Sequence, residues 1–164
     1  MKFPTDIMYT RYTSPIGGMV LAAAAGELVG VWFDDQADLP DLSHAIQAPR
    51  DLVLQQAAAQ LTDYFAGRCA AFNLPLNLRC GSEFQNAVWQ ALLGIAPGQT
   101  CSYGALASHL GKPKAVRALG GAVGRNPISI IVPCHRVIGS NGQLTGYSGG
   151  LWRKTALLKL EGVL

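Results

Sequence analysis

Ser102-Tyr103-Gly104-Ala105-Leu106-Ala107-Ser108-His109-Leu110-Gly111-Lys112-Pro113-Lys114-Ala115-Val116-Arg117-Ala118-Leu119-Gly120-Gly121-Ala122-Val123 reads as two short helices around a tight turn. Ser102 can cap a first helix over Tyr103–Leu110, because its side-chain oxygen accepts from a free amide of the first turn. Gly111 ends that helix, and Pro113 suits the first turn of a second one reaching about Val123. Two helices joined by a Gly-containing turn form a helix-turn-helix, although spacing alone would equally describe a helical hairpin in a core. Composition separates the two. Lys114 and Arg117 lie one turn apart on one face, while Ala115, Ala118, Gly120, Gly121 and Ala122 leave much of the surface bare. Each interior glycine costs about 1 kcal/mol against alanine, so an adjacent pair implies close approach to another backbone. A helix that reads the major groove carries Asn, Gln or several Arg at base-contacting positions. Small residues around one long cation fit a narrow, shallow groove instead. The expected partner is double-stranded DNA bound through its minor groove, largely independent of sequence, with Lys114 and Arg125 on phosphates.

Downstream, Gly124-Arg125-Asn126-Pro127 turns the chain, and Asn126 suits such a turn because it tolerates left-handed geometry and bonds its own backbone. Ser129-Ile130-Ile131-Val132-Pro133-Cys134-His135-Arg136-Val137 follows. Its β-branched run, Ile130–Val132, predicts a buried strand that stops at Pro133, which has no N–H for a ladder. A thiol and an imidazole, Cys134 and His135, stand directly after it. A free cysteine is usually buried and inert; one displayed beside a base at the end of a rigid element is a candidate nucleophile.

Upstream, Ile7–Thr13, Met19–Ala25 and Leu28–Phe33 are strand-like runs separated by Ser14-Pro15-Ile16-Gly17-Gly18 and Gly26-Glu27. Asp34–Pro49 reads as loop. Asp51–Phe65 has helical spacing, with Leu54, Ala58, Leu61 and Phe65 on one face and Gly67 as its stop. Ala71–Leu78 returns to extended structure around Pro75. Nothing in this region looks catalytic: His44 reads as a loop histidine and Cys69 as packed. A boundary near Arg79-Cys80-Gly81 gives two domains, 1–80 and 81–164. Ser82 and Gln85 then make a capping box, and the next helix carries Phe84, Val88 and Leu92 as core. The fold class is α+β: a small sheet-and-helix unit followed by a mainly helical one.

The 164-residue chain is 49% hydrophobic and 14% charged, which excludes a disordered polypeptide. The net charge of +3 is uneven: residues 1–80 carry 5 basic and 8 acidic side chains, residues 81–164 carry 8 and 2. A basic second half suits a polyanionic partner. No secretory signal follows Lys2, and Met19–Ala25 is too short for a bilayer, so a cytoplasmic protein with no membrane partner is expected. Cys69, Cys80, Cys101 and Cys134 include no C-x-x-C pair, so no metal site is expected and the thiols read as free.

Pro133-Cys134-His135-Arg136-Val137 resembles the active-site signature of the O6-alkylguanine-DNA alkyltransferases. The resemblance extends to Ser102-Tyr103-Gly104, Ala115–Ala122, Arg125-Asn126-Pro127, Gly146-Tyr147-Ser148-Gly149-Gly150 and Leu160-Glu161-Gly162, in the family's order from about residue 82 to the end. Before that it is loose, through Ser14-Pro15-Ile16-Gly17 and the strands-then-helix pattern. It implies a ribonuclease-H-like first domain without nuclease function and a winged helix-turn-helix-like element in the second. It implies direct-reversal repair by a short bacterial form, with the alkyl group of O6-alkylguanine moved once to Cys134; O4-alkylthymine is a second candidate substrate. His135 would deprotonate Cys134 through a water, with Glu161 orienting the imidazole and Tyr103 donating to guanine N3. The carbonyls of Cys134 and Val137 would accept from the exocyclic amine, and the Ser148 amide would approach O6. Tyr147 would pack in the pocket wall and Asn126 would tie the turn. Arg117 would replace the extruded base on a helix whose Ala118 and Gly121 face the groove. No cofactor is implied, and the protein is expected to act as a monomer, with cooperativity on DNA left open.

The chemistry of these residues supports that assignment. A free thiol near pKa ~8.5 is only slightly ionised at neutral pH and needs a base. Successive strand residues point to opposite faces, so Cys134 and His135 are expected not to touch, which makes a water relay reasonable. An alkyl group on O6 of a paired guanine is reached only by flipping the base out. A thioether has no good leaving group, so the expected reaction runs once. The alternatives are an alkyltransferase-like lesion binder, in which tryptophan replaces the acceptor cysteine, and a thiol hydrolase, which needs an oxyanion hole.

Overall fold

The computed structural model describes residues 1–69 and 71–164. Strands β1 (Met8–Ser14), β2 (Gly17–Ala24) and β3 (Glu27–Phe33) form an antiparallel meander, and a short β4 (Ile46–Gln47) pairs parallel with β1, giving the order β3-β2-β1-β4. Ser14 closes the first hairpin: its hydroxyl donates to the Gly17 carbonyl at 2.7 Å and accepts from the Ile16 amide at 3.2 Å. Alternate residues serve two cores. Leu21, Ala23, Val31 and Phe33 join the main one, while Ala22, Ala24, Val29 and Trp32 are covered by Phe3, Leu39 and Leu42. Burial on both faces explains why these strands are continuous apolar runs. The expected loop 34–49 does this covering and contributes β4.

Helix α1 (Leu52–Phe65) packs against β1–β3 through Val53, Leu54, Ala57, Leu61 and Tyr64, with Asp51 accepting from the Leu54 amide as its cap. Helix α2 (Glu83–Leu92) starts with both bonds of the expected capping box, Ser82 with Gln85. Its Trp89 donates to the Ala122 carbonyl at 2.8 Å, joining it to α4 (Val116–Gly124). Before α4 come β5 (Cys101–Ser102) and α3 (Tyr103–His109), capped by the Ser102 hydroxyl and ended by Gly111 at φ 71°. A short β6 (Val137–Ile138) pairs with β5, and α5 (Leu151–Leu160) completes the helical domain.

Two expectations are corrected. The second helix begins at Val116, so Pro113 and Lys114 lie in the turn before it and Lys114 shares no helical face with Arg117. The Lys112 amide bonds the Ala107 carbonyl and the Ala115 amide bonds Lys112, which uses up those residues in the connection. Ile130–Val132 form no strand. Within this stretch only Ile128 bridges the sheet, where the Val31 amide donates to the Pro127 carbonyl and the Ser129 amide donates to the Val31 carbonyl. The chain then folds over itself, with Val132 N–H on the Ile128 carbonyl and Ile130 at φ 72°. Hydrophobicity and β-branching reported burial here, and that burial is met by a tight loop pinned to the edge of the first domain's sheet.

Candidate active site

That loop delivers Cys134–Arg136 as a single 3-10 turn, all three residues buried. The thiol therefore sits on a helical turn, so the argument from opposite strand faces does not apply to Cys134 and His135. Asn126, itself buried, spans the loop: its amide donates to the Val132 carbonyl at 2.8 Å and its carbonyl accepts from the Ile128 amide at 3.0 Å. The residue that turns the chain thus also holds both ends of the segment carrying the thiol.

Cys134 forms part of the wall of a cavity of about 170 Å³ lined with Tyr103, Gly120, Val123, Gly124, Gly146, Tyr147 and Ser148. Burial pushes the thiol up, opposed by Asn126 and by the charge of Lys154. The Tyr103 hydroxyl donates to the Thr145 carbonyl at 3.0 Å, and the Ser148 hydroxyl donates to the Gly124 carbonyl. A Cβ on Gly149 would lie 2.7 Å from the Phe33 ring, so the pocket loop must pass there as bare backbone.

Next to Cys134, His135 is fully buried and its Nε2 lies 2.8 Å from Glu161 Oε1. Glu161 follows the last turn of α5 and its side chain is 2% exposed. Burial alone would raise its carboxyl, but hydrogen bonds from His135 and Arg136 outweigh that and hold it far below the usual range. Arg136 donates Nε to Oε2 at 2.9 Å and Nη2 to Oε1 at 2.8 Å. An ionised carboxylate only accepts, so the shared proton belongs to His135 Nε2. Burial also lowers the imidazole below its ordinary value, against the pull of Glu161. The result is a neutral imidazole whose Nδ1 has no hydrogen-bond partner among the described residues, a basic nitrogen able to take a proton.

Of the expected site residues, the structure joins His135 to Glu161 directly after Cys134 in the chain, and sets Cys134 with Tyr103, Tyr147 and Ser148 around the cavity. Val137 is buried beside them, its amide bonded to the Cys134 carbonyl and its own carbonyl to Lys154. Lys114, Arg117, Ala118, Gly121 and Arg125 are all exposed outside the mouth. Arg117 lines an open groove that continues the cavity past Tyr103, Gly120, Thr145 and Gly146. A Cβ at Gly121 would meet only Arg125, at 3.8 Å. A Cβ at Gly120 would meet only the Tyr103 ring, at 4.0 Å, so internal packing requires neither glycine of the pair.

Three side chains bonded to the site or to its loop were not anticipated. Lys154 is completely buried, with Nζ on the carbonyls of Val137, Thr145 and Gly146 at 2.6, 3.0 and 3.2 Å. Arg153 stacks 4.1 Å over Phe33 and donates to Ile16, Gly149 and both oxygens of Asp35, tying the pocket loop to the first domain. Tyr64 donates from α1 to Glu161. A signal existed for Lys154, which stands three and four residues before Leu157 and Leu158 on the buried stripe of α5. Among the described residues, no three His, Cys, Asp or Glu side chains gather to hold a metal ion, and no helix is long and apolar enough to cross a membrane.

Comparison with known proteins agrees over nearly the whole chain. Residues 7–78 match the family model described as 6-O-methylguanine DNA methyltransferase, ribonuclease-like domain, and residues 83–163 match that family's DNA binding domain. The methylated-DNA–protein-cysteine methyltransferase of Mycobacterium leprae is 51% identical over 148 residues, covering 90% of this chain and 88% of the relative. That of Methanosarcina acetivorans is 46% identical, covering 94% and 97%. The crystal structure of Mycobacterium tuberculosis OGT in complex with DNA superposes with a TM-score of 0.88 at 47% identity, covering 94% of this chain and 92% of that one. With both domains matched and relatives this similar along their full length, the chain belongs to the 6-O-methylguanine DNA methyltransferase family.

Proposed function

We propose that this protein repairs O6-alkylguanine in DNA by moving the alkyl group to Cys134, once per molecule. The observation that carries the reading is the pairing of a buried thiol at a cavity wall with a neutral imidazole beside it, held by an ionised carboxylate. His135 Nδ1 takes the thiol proton through a water, and imidazolium forms against Glu161. The thiolate attacks the alkyl carbon, the C–S bond forms as the C–O6 bond breaks, and the electron pair leaves with the purine as the guanine anion, which takes up a proton to become guanine. Tyr103 supplies a hydrogen bond or proton to guanine N3. The carbonyls of Cys134 and Val137 hold the exocyclic amine, the Ser148 amide faces O6, and Tyr147 packs beside the base. No group remains to release the thioether.

The duplex is bound as a monomer through its minor groove. Gly121 and Ala118 let α4 approach, Lys114 and Arg125 neutralise phosphates, and Arg117 fills the gap left by the flipped nucleotide. Asn126 keeps this helix in register with the thiol. Binding should weaken as salt rises, without a change in sequence tolerance. Four free cysteines suit the reducing cytoplasm. The deciding experiment is intact mass after incubation with a duplex containing one O6-methylguanine. One added methyl group on Cys134 supports the reading. An unmodified chain with intact lesion would leave a lesion binder, and turnover of a chromogenic thioester would indicate a hydrolase.

A further inference from the structure

Glu161 is loaded unevenly. Its Oε2 accepts one hydrogen bond, from Arg136 Nε, whereas Oε1 accepts three: from His135 Nε2, from Arg136 Nη2, and from the Tyr64 hydroxyl at 2.7 Å. Tyr64 lies 97 residues away in sequence, on α1 of the sheet domain, and is 3% exposed. Its ring packs edge-on to Phe65 and against Phe72, contacts that phenylalanine would make equally well. The hydroxyl is the only part of the side chain this packing does not explain. It points at the one carboxylate oxygen to which the catalytic imidazole is also bonded.

We infer that Tyr64 is a positioning residue for thiol activation, so that the first domain completes the site carried by the second. The inference rests on the reading of Cys134, His135 and Glu161 given above. A donor on Oε1 draws negative charge away from the oxygen that faces His135. The carboxylate then binds the imidazole N–H firmly enough to fix the ring, and stabilises imidazolium less than a bare carboxylate would. By tempering Oε1, Tyr64 acts alongside the charges of Arg136 and Lys154, which both disfavour imidazolium, to keep His135 neutral in the resting protein. Burial lowers the imidazole in the same direction, and the Tyr64 proton is itself secured by burial and by the adjacent carboxylate.

The test is Tyr64→Phe in the full chain, with rates of methyl transfer from an O6-methylguanine duplex measured by intact mass between pH 5 and 9. Without the hydroxyl the carboxylate loses one of the donors that fix it and the imidazole it holds, and this misalignment is expected to slow transfer at neutral pH about tenfold. The acid limb of the rate profile should move upward by about half a unit, because imidazolium is better stabilised without the hydroxyl. Duplex affinity should stay unchanged, and Tyr12→Phe, which loses an exposed hydroxyl contact with Thr62, should match the parent protein. A Tyr64→Phe variant that keeps the parent's acid limb, at any rate or melting temperature, would reduce Tyr64 to packing and overturn the inference. Glu161→Gln in the same assay separates the two levels: if it transfers normally, the activation reading itself fails. If it is slowed while Tyr64→Phe keeps the parent's acid limb, only the role of Tyr64 fails.

Discussion

Lys154 Nζ lies 2.6 Å from the carbonyl oxygen of Val137, three residues past the thiol, and the same ammonium holds the carbonyls of Thr145 and Gly146 across the cavity mouth. One buried cation thus ties the backbone just past the thiol to the loop that lines the cavity and its groove. Lys154→Met keeps most of the volume but leaves three carbonyls without their donor. It is expected to cost about 2–4 kcal/mol of stability and to slow transfer from both duplex and free base. Thermal melting and single-turnover rates check this, and a variant as stable and fast as the parent would remove the bracing role.

Cys134→Ala should abolish mass gain while preserving affinity for the lesion duplex. The side chain is small and buried at the cavity wall, so its removal leaves the surface around Arg117 intact. Persistent methylation at Cys69, Cys80 or Cys101 would relocate the acceptor.

Arg117→Ala should slow duplex repair about 10- to 100-fold, the scale of a flipping cost of a few kcal/mol, and leave reaction with a free O6-alkylguanine base nearly unchanged. Arg117 is exposed and lines the open groove, outside the lining of the inner cavity. Equal slowing of both substrates would contradict the flipping role.

Stability should fall in acid in two stages. In the fold, His135 and Glu161 both titrate below their ordinary values, which are about 6.5 and 4.3 in an unfolded chain. Below each ordinary value the unfolded chain binds a proton that the folded one refuses, so acidification favours unfolding. The contribution is complete above about pH 6.5, declines first through His135, and declines further below about pH 4.3 through Glu161. Melting temperature as a function of pH reads this directly, and Glu161→Gln should flatten the more acidic part.

Arg153→Met should loosen the join between the domains. Its guanidinium is 4% exposed and bonds Ile16, Gly149 and Asp35. Losing it strands two carbonyls, at a cost of about 2–4 kcal/mol. Denaturant unfolding that loses its single transition would show the uncoupling.

Local structure was legible wherever a local cause acted. The Ser82–Gln85 capping box, the Ser102 cap, the Gly111 stop and the three strand-like runs before residue 34 depend on neighbours within a few residues, and each stands within two residues of where the sequence places it. Ile130–Val132 misled because burial and β-branching signal a buried position and not the backbone path, and the path here is set by Asn126 and by the edge of β3. Pro113 misled because proline's preference for a first helical turn also suits a turn outside one. His135 was legible as the base next to Cys134, whereas its pairing with Glu161 came through resemblance. Tyr64, Lys154 and Arg153 act across 97, 17 and 118 residues, distances at which no periodic pattern speaks.

Gly120 sits at the rim of the cavity, and a Cβ added there would meet only the Tyr103 ring, 4.0 Å away. Alanine at this position should therefore recover about 1 kcal/mol of helix propensity while constricting the entrance. Aperture and scaffold are separate design variables in this molecule. A graded series at residue 120 would act as a calliper for adduct size, with each added methyl closing the gate on the bulkier lesions first.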